Sequence, residues 1–239
     1  MVSENMTGFS ENSVAARLTA VRARVAAAAE AAGRNPGDVR ILGVSKRQPL
    51  ASVRAALDAG LTDCGENFLQ EALEKMAALG ETPVCWHFIG ALQSNKTAAV
   101  AEHFDWVHSV DRPKLAQRLA RQRPAGRPPL NVCVQVRIGD EASKAGVLPA
   151  QACDLAHQVA ALPQLRLRGL MAVPPPETEP ARQRAWCRQL AELYADLQRD
   201  GLAMDTLSMG MSDDLEAAIA EGATLVRIGT AIFGPREPA

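Results

Sequence analysis

The chain has 239 residues with a formal net charge of −1, 47% apolar and 22% charged residues. That composition suits one large core and offers no basic footprint for nucleic acid or an anionic membrane. No run approaches the roughly 18 uninterrupted apolar residues of a spanning helix, and the polar stretch 1–12 lacks the basic-then-apolar order of a secretory signal. The five cysteines are scattered and never spaced C-x-x-C, so neither a disulfide framework nor a zinc site is expected, and a reducing cytoplasm fits. Cys64, Cys85 and Cys133 lie in apolar runs and read as small core residues.

Residues 1–12 read as a flexible N-terminus of a single domain. The first element is a helix over 10–32, with Val14, Leu18, Val21 and Val25 at spacings of three and four, stopped by Gly33 and Pro36. The stretch 41–46 then reads as a buried strand carrying Leu42, Val44 and Lys46 on one face. Pro49 opens a helix lined by Val53, Ala56 and Leu57, and Gly60 closes it. From there strand and helix alternate: 62–65 then 66–79, 84–89 then 93–102, 106–109 then 112–122, 130–138 then 149–161. The stretch 165–173 precedes a helix over 179–199, 206–209 precedes 212–221, and 224–228 runs into a tail, 231–234.

Each of these eight strands except the last is followed by a helix. Such alternation predicts an α/β protein with a parallel sheet, closed as a (β/α)8 TIM barrel and carrying an extra N-terminal helix on its bottom or flank. An open doubly wound sheet is the alternative, but the first loop lacks a G-x-G-x-x-G.

In a barrel the functional groups sit at the C-terminal ends of strands. Those positions carry Ser45-Lys46, Gly65-Glu66-Asn67, His87 to Gly90, His108-Ser109, Arg137, Met171, Ser208 to Gly210 and Arg227 to Thr230. They contain no paired carboxylates, HExxH or G-x-S-x-G, which disfavours metal hydrolysis and an esterase elbow. Lys46 ends an apolar column, where an amine either snorkels to water or acts as a nucleophile. Ser208, Gly229 and Thr230, at the ends of strands seven and eight, can bind a phosphate; Ser212 can do so too or simply cap the helix after it. Asp213 and Asp214 favour the cap. Arg227 either makes a salt bridge at the barrel rim or faces a ligand. Asn67 suits a turn as well as a ligand, and His87 reads as a core or rim histidine before a base.

Several of these motifs together resemble the pyridoxal phosphate homeostasis proteins (YggS/PROSC type). They are Val44-Ser45-Lys46, Gly65-Glu66-Asn67, the run Trp86-His87-Phe88-Ile89-Gly90-Ala91-Leu92-Gln93-Ser94-Asn95-Lys96 and Arg168-Gly169-Leu170-Met171, followed by Leu207-Ser208-Met209-Gly210-Met211-Ser212-Asp213-Asp214 and Val226-Arg227-Ile228-Gly229-Thr230. The resemblance runs in order from about Arg40 to Gly234. Ala91 stands where a histidine is expected and Phe68 where a tyrosine is common.

The resemblance implies a fold-type III barrel like the N-terminal domain of alanine racemase, with pyridoxal 5′-phosphate (PLP) held as a Schiff base on Lys46. It implies that Ser208, Gly229 and Thr230 hold the phosphate, that Arg227 faces the pyridine nitrogen and that Asn67 approaches the phenolic oxygen. It also implies a monomer that buffers or delivers the vitamer, with apo forms of PLP-dependent enzymes as partners. Leu42 and Val44, with Arg227 across the barrel, would favour the neutral amine that a Schiff base needs. An arginine cannot accept a proton from the ring, so carbanion chemistry would be poorly supported. Alanine racemase adds a β-domain and a second-base tyrosine, whereas this sequence ends at Ala239 and its one tyrosine, Tyr194, lies in the 179–199 helix. A PLP-binding protein without robust catalysis is therefore expected; a PLP-dependent racemase or a phosphosugar-processing barrel are the alternatives.

Overall fold

The computed structural model describes residues 13–139 and 145–235; the expectation of a flexible 1–12 segment and the first residues of the leading helix lie outside them. Eight parallel strands close a barrel in sequence order: β1 (Arg40–Val44), β2 (Asp63–Glu66), β3 (Cys85–Phe88), β4 (Trp106–Val110), β5 (Leu130–Gln135), β6 (Leu165–Met171), β7 (Thr206–Ser208) and β8 (Leu225–Ile228). The seam is β1 against β8, which sets Leu42 beside Arg227. The predicted (β/α)8 barrel is thus the fold, and the open sheet is excluded.

Strand alternation sorts the side chains into two layers. Cys64, Trp86, Phe88, Val107, Val132, Leu207, Val226 and Ile228 join the apolar layer between barrel and helices. Trp106, Cys133 and Met171 form a separate plug, with Cys85 half-buried beside it. Cys64 and Cys133 are core residues as expected, and all five cysteines are free.

The helices are α1 (Val14–Ala31), α2 (Leu50–Asp58), α3 (Leu69–Leu79), α4 (Thr97–His103), α5 (Pro113–Gln122), α6 (Pro149–Ala160), α7 (Pro180–Arg199), α8 (Leu215–Ala220) and α9 (Thr230–Phe233). Helix α1 buries Leu18, Val21, Val25 and Ala29, and packs across α2, α8 and α9. Arginines of α1 and of the turn after it bond carbonyls at the ends of those helices. Arg22 donates to Ala59 and Gly60 O after α2, Arg34 to Ile219 and Ala223 O at the end of α8, and Arg17 to Ile232 and Phe233 O in α9. The extra helix therefore covers the flank where the barrel closes.

Three differences from the sequence reading bear on function. The first strand ends at Val44, so Lys46 stands two residues beyond it, on a turn. Glu66 belongs to β2, paired with Phe88, and α3 starts only at Leu69. The expected tail is a single helical turn, α9, whose first residues are Gly229 as cap and Thr230.

Candidate functional site

At the C-terminal end of the barrel lies a cavity of about 440 Å³, within the usual size range for small-molecule sites. It is lined by Lys46, Asn67, Arg227, Gly229 and Thr230, five of the six residues that the resemblance assigns to the cofactor, with Val44, Ile89 and Met171 as apolar walls. Ser212 and the carboxylate-bearing Asp213 add to the polar lining. Ser208 does not reach the cavity: it is fully buried, and its hydroxyl belongs to the barrel interior. Nor does Ser212 cap α8. Asp214 occupies the cap position, and its carboxylate accepts the Met211 amide at 2.5 Å. The Ser212 loop is held from outside by α1, whose Arg24 donates to Ser212 O at 3.0 Å and pairs with Glu216.

Lys46 reaches the cavity because the turn that carries it is clamped on both sides. Ser45 O before it accepts from Lys75 Nζ at 2.6 Å, and the Arg47 amide after it donates to Glu71 Oε1 at 2.5 Å. Arg47 takes a left-handed φ of 54°, a conformation that costs a non-glycine residue free energy and persists only where its surroundings enforce it. Lys75 also donates to Glu71 and to Glu66 Oε1, both at 2.7 Å, and Ser45 Oγ donates to that same Glu66 oxygen at 2.6 Å. Glu66 is fully buried and Lys75 is 7% exposed. Burial raises the Glu66 carboxyl above its ordinary value, against the opposing pull of Lys75. Glu66 is among the strand-end positions read from the sequence but has no role there, and Lys75 does not stand out at all.

Gly90 allows Asn67 its place, since a Cβ there would lie 2.2 Å from Asn67 O. The Asn67 side-chain Oδ1 is buried and has no hydrogen-bond partner among the described residues. A hydrogen-bond donor on a ligand would satisfy that oxygen.

Arg227 forms the floor and is 5% exposed. Its Nη1 donates to Ser208 O at 2.7 Å and to Ser208 Oγ at 2.9 Å, and its Nη2 to Ala172 O at 2.7 Å. Nε takes no part in these bonds. Burial pushes the guanidinium down to about 10, still a full cation at neutral pH.

Below Arg227 the hydrogen bonds continue through the barrel. Ser208 Oγ lies 2.9 Å from His108 Nδ1, His108 Nε2 lies 2.9 Å from His87 Nδ1, and His87 Nε2 lies 3.0 Å from Asp63 Oδ1. His87 stacks on Trp106 with centroids 5.2 Å apart. It is a core histidine, as its strand position suggested.

Burial lowers the pKa of His87, with Asp63 opposing, and drives that of His108 well below the ordinary value. For Asp63, burial alone would raise the pKa, but the hydrogen bonds from His87 and Thr62 outweigh it and leave the carboxyl lowered. Unfolded histidines take up protons below about pH 6.5 while these two stay neutral in the fold. The unfolded state then binds more protons, so stability falls as pH falls from about 6.5 toward the lowered folded values. The expected slope approaches ~1.4 kcal/mol per pH unit for each histidine, and urea midpoints measured at pH 7 and pH 5 check it. Asp63 adds loss of the same sign only below its unfolded value of about 3.9.

Among the described residues two groups have metal-ligating atoms close together: Asp63, Cys85 and His87 inside the barrel, and Cys153, His157 and Asp200 on the outer face. Neither lines the cavity. No helix among the described residues is long and apolar enough to cross a membrane.

Comparison with known proteins agrees with this architecture. The model of the alanine racemase N-terminal domain family matches residues 16–237. A Pseudomonas aeruginosa protein, a pyridoxal phosphate homeostasis protein, is 60% identical over 226 residues, which cover 95% of this chain and 97% of that one. Its Escherichia coli K12 namesake is 52% identical over 229 residues, 95% and 98% of the two chains. Among solved structures, PipY of Synechococcus elongatus with PLP bound has a TM-score of 0.81 and 39% identity, covering 92% of this chain and 100% of its own.

Proposed function

The chain belongs to the alanine racemase N-terminal domain family and, within it, to the pyridoxal phosphate homeostasis proteins, and on that premise we propose that it binds PLP and serves in PLP homeostasis by buffering or delivering the cofactor. The observation that carries this reading is the single cavity that gathers a lysine, an arginine, an asparagine and a Gly/Ser/Thr rim. The donor set fits the cofactor. Lys46 offers the amine for a Schiff base. Ser212, Gly229 and Thr230 offer hydroxyl and backbone donors to a phosphate, the latter two at the start of α9, where the first amides have no intrahelical partner. The buried Asn67 Oδ1, an acceptor without a partner among the described residues, can take a hydrogen bond from the phenolic hydroxyl. The apolar walls take the ring.

PLP supplies an aldehyde that a primary amine can hold and release reversibly. What the protein adds beyond holding is limited by Arg227. Its N–H groups only donate, so a ring nitrogen beside it stays unprotonated and draws little electron density. The relatives are named for homeostasis and not for a reaction, and the donor-only floor supports reading the protein as a carrier without robust turnover. Tyr194, the one tyrosine, is half-buried in α7 with Gln198 donating to its hydroxyl, and it does not line the cavity. A PLP-dependent racemase is the second reading.

Loaded protein mixed with an apo PLP enzyme should restore that enzyme's activity, and an amino-acid panel in deuterated water should show no α-proton exchange above free PLP. Absence of PLP binding by the purified protein would sink the proposal; exchange well above free PLP would favour the racemase.

A further inference from the structure

The file of hydrogen bonds beneath the cavity has a defined direction. At one end stands Arg227, which can only donate; at the other stands the Asp63 carboxylate, which can only accept. Between them each neutral imidazole has one N–H and one lone pair, and the serine has one proton to give. Only one arrangement satisfies every contact. His87 donates from Nε2 to Asp63, His108 donates from Nε2 to His87 Nδ1, Ser208 donates to His108 Nδ1, and Arg227 donates to Ser208 Oγ.

We infer that this buried file is a polarity lock, in which His108, His87 and Asp63 act as positioning residues that orient Ser208 and hold Arg227 as a fixed donor below the cavity. It is not a proton wire, because the arginine at its end does not surrender a proton. All five groups are buried, so no water competes for the contacts, and an unmade bond at any link leaves a buried polar atom unpaired. The Trp106 ring stacked on His87 carries the Arg168 guanidinium 4.6 Å and the Arg40 guanidinium 5.6 Å from its centroid, which fixes the imidazole plane from the side. The lock also gives Ser208 its role. Its hydroxyl proton is committed to His108 and its lone pair to Arg227, so it serves the arginine and leaves the phosphate to Ser212, Gly229 and Thr230. The part of this inference that concerns the ring rests on PLP binding; the direction of the file does not.

Two measurements test it. In cofactor-free protein with 15N-labelled histidine, long-range proton–nitrogen spectra at pH 7 should show His87 and His108 both protonated on Nε2 alone. A proton on Nδ1 of either ring, or a doubly protonated ring, overturns the lock. The second compares ligands with and without a phosphate. Ser208→Ala, a small buried change, should weaken pyridoxal and PLP by the same factor, about tenfold for one lost hydrogen bond to a charged group. Ser212→Ala should weaken PLP and leave pyridoxal unchanged. If Ser208→Ala weakens PLP alone, the serine is a phosphate ligand and the lock is wrong; if it weakens neither, Arg227 needs no such partner and the lock is equally wrong. Wild-type protein that binds neither compound would refute PLP binding, while the tautomer spectra would still judge the file.

Discussion

Replacing Lys46 with alanine should abolish the proposed covalent adduct with PLP and leave the barrel folded. Lys46 is half-buried on a turn at the cavity mouth, and truncation at such a position outside the core typically changes stability by well under 1 kcal/mol. The turn itself is held by Ser45 O and the Arg47 amide, both backbone groups that the substitution keeps. What disappears is the amine. In the proposed wild-type complex the amine would meet the aldehyde within one assembly, an advantage worth orders of magnitude over two molecules meeting in water. Binding should therefore weaken roughly a hundredfold or more, leaving a loose non-covalent complex on Arg227 and the phosphate donors. Borohydride reduction followed by mass spectrometry should find a pyridoxyl group on Lys46 in wild type and none in the variant. A pyridoxyl group on another lysine of the wild type would dismiss Lys46 as the anchor. The same protein, still folded by circular dichroism, serves as the control for every transfer assay.

Most of the barrel was readable because its signals are local. Strand runs bounded by glycine and proline, and helices with apolar residues three and four apart, recur with the period of a (β/α)8 unit. Boundaries moved where a tertiary bond decided them. Glu66 looked like a helix start, yet its backbone pairs with β3. The final tail looked irregular because four residues are too few for a period, and α9 forms only by packing under α1. The site was readable to the extent that strand ends identify it: Lys46, Asn67, Arg227, Gly229 and Thr230 all line the cavity. Ser208 against Ser212 was not, since four positions along an irregular loop give no parity argument, and Gly210 at φ 93° bends the chain between them. The links from His108 to Ser208 and from Glu66 to Lys75 join residues 100 and 9 positions apart. The first spans the barrel and no local pattern reports it. The second lay hidden because a lysine in an amphipathic helix reads as solvated.

That hidden lysine carries the largest expected effect on stability. Lys75→Met removes the cation from a carboxylate that is fully buried, and breaking a buried pair on one side typically costs ~3–5 kcal/mol. For a chain of this size each kcal/mol shifts the melting temperature by about 2–4 °C, so a fall of roughly 6–20 °C is expected. The loss should depend on pH. Without Lys75 the buried Glu66 is driven further toward its neutral form, so the folded variant holds a proton that the unfolded chain releases above about 4.3. Stability of the variant then falls as pH rises through that window, and the deficit against wild type should be larger at pH 8 than at pH 5. The double variant Glu66→Gln/Lys75→Met carries no buried charge and should recover much of the melting temperature. It should not recover PLP affinity, because Ser45 O still lacks its donor and the turn bearing Lys46 has lost one side of its clamp. Equal melting temperatures for the single and double variants would show that the buried charge is not the cause. Full PLP affinity in the double variant would show that Lys75 supports the fold and not the position of Lys46.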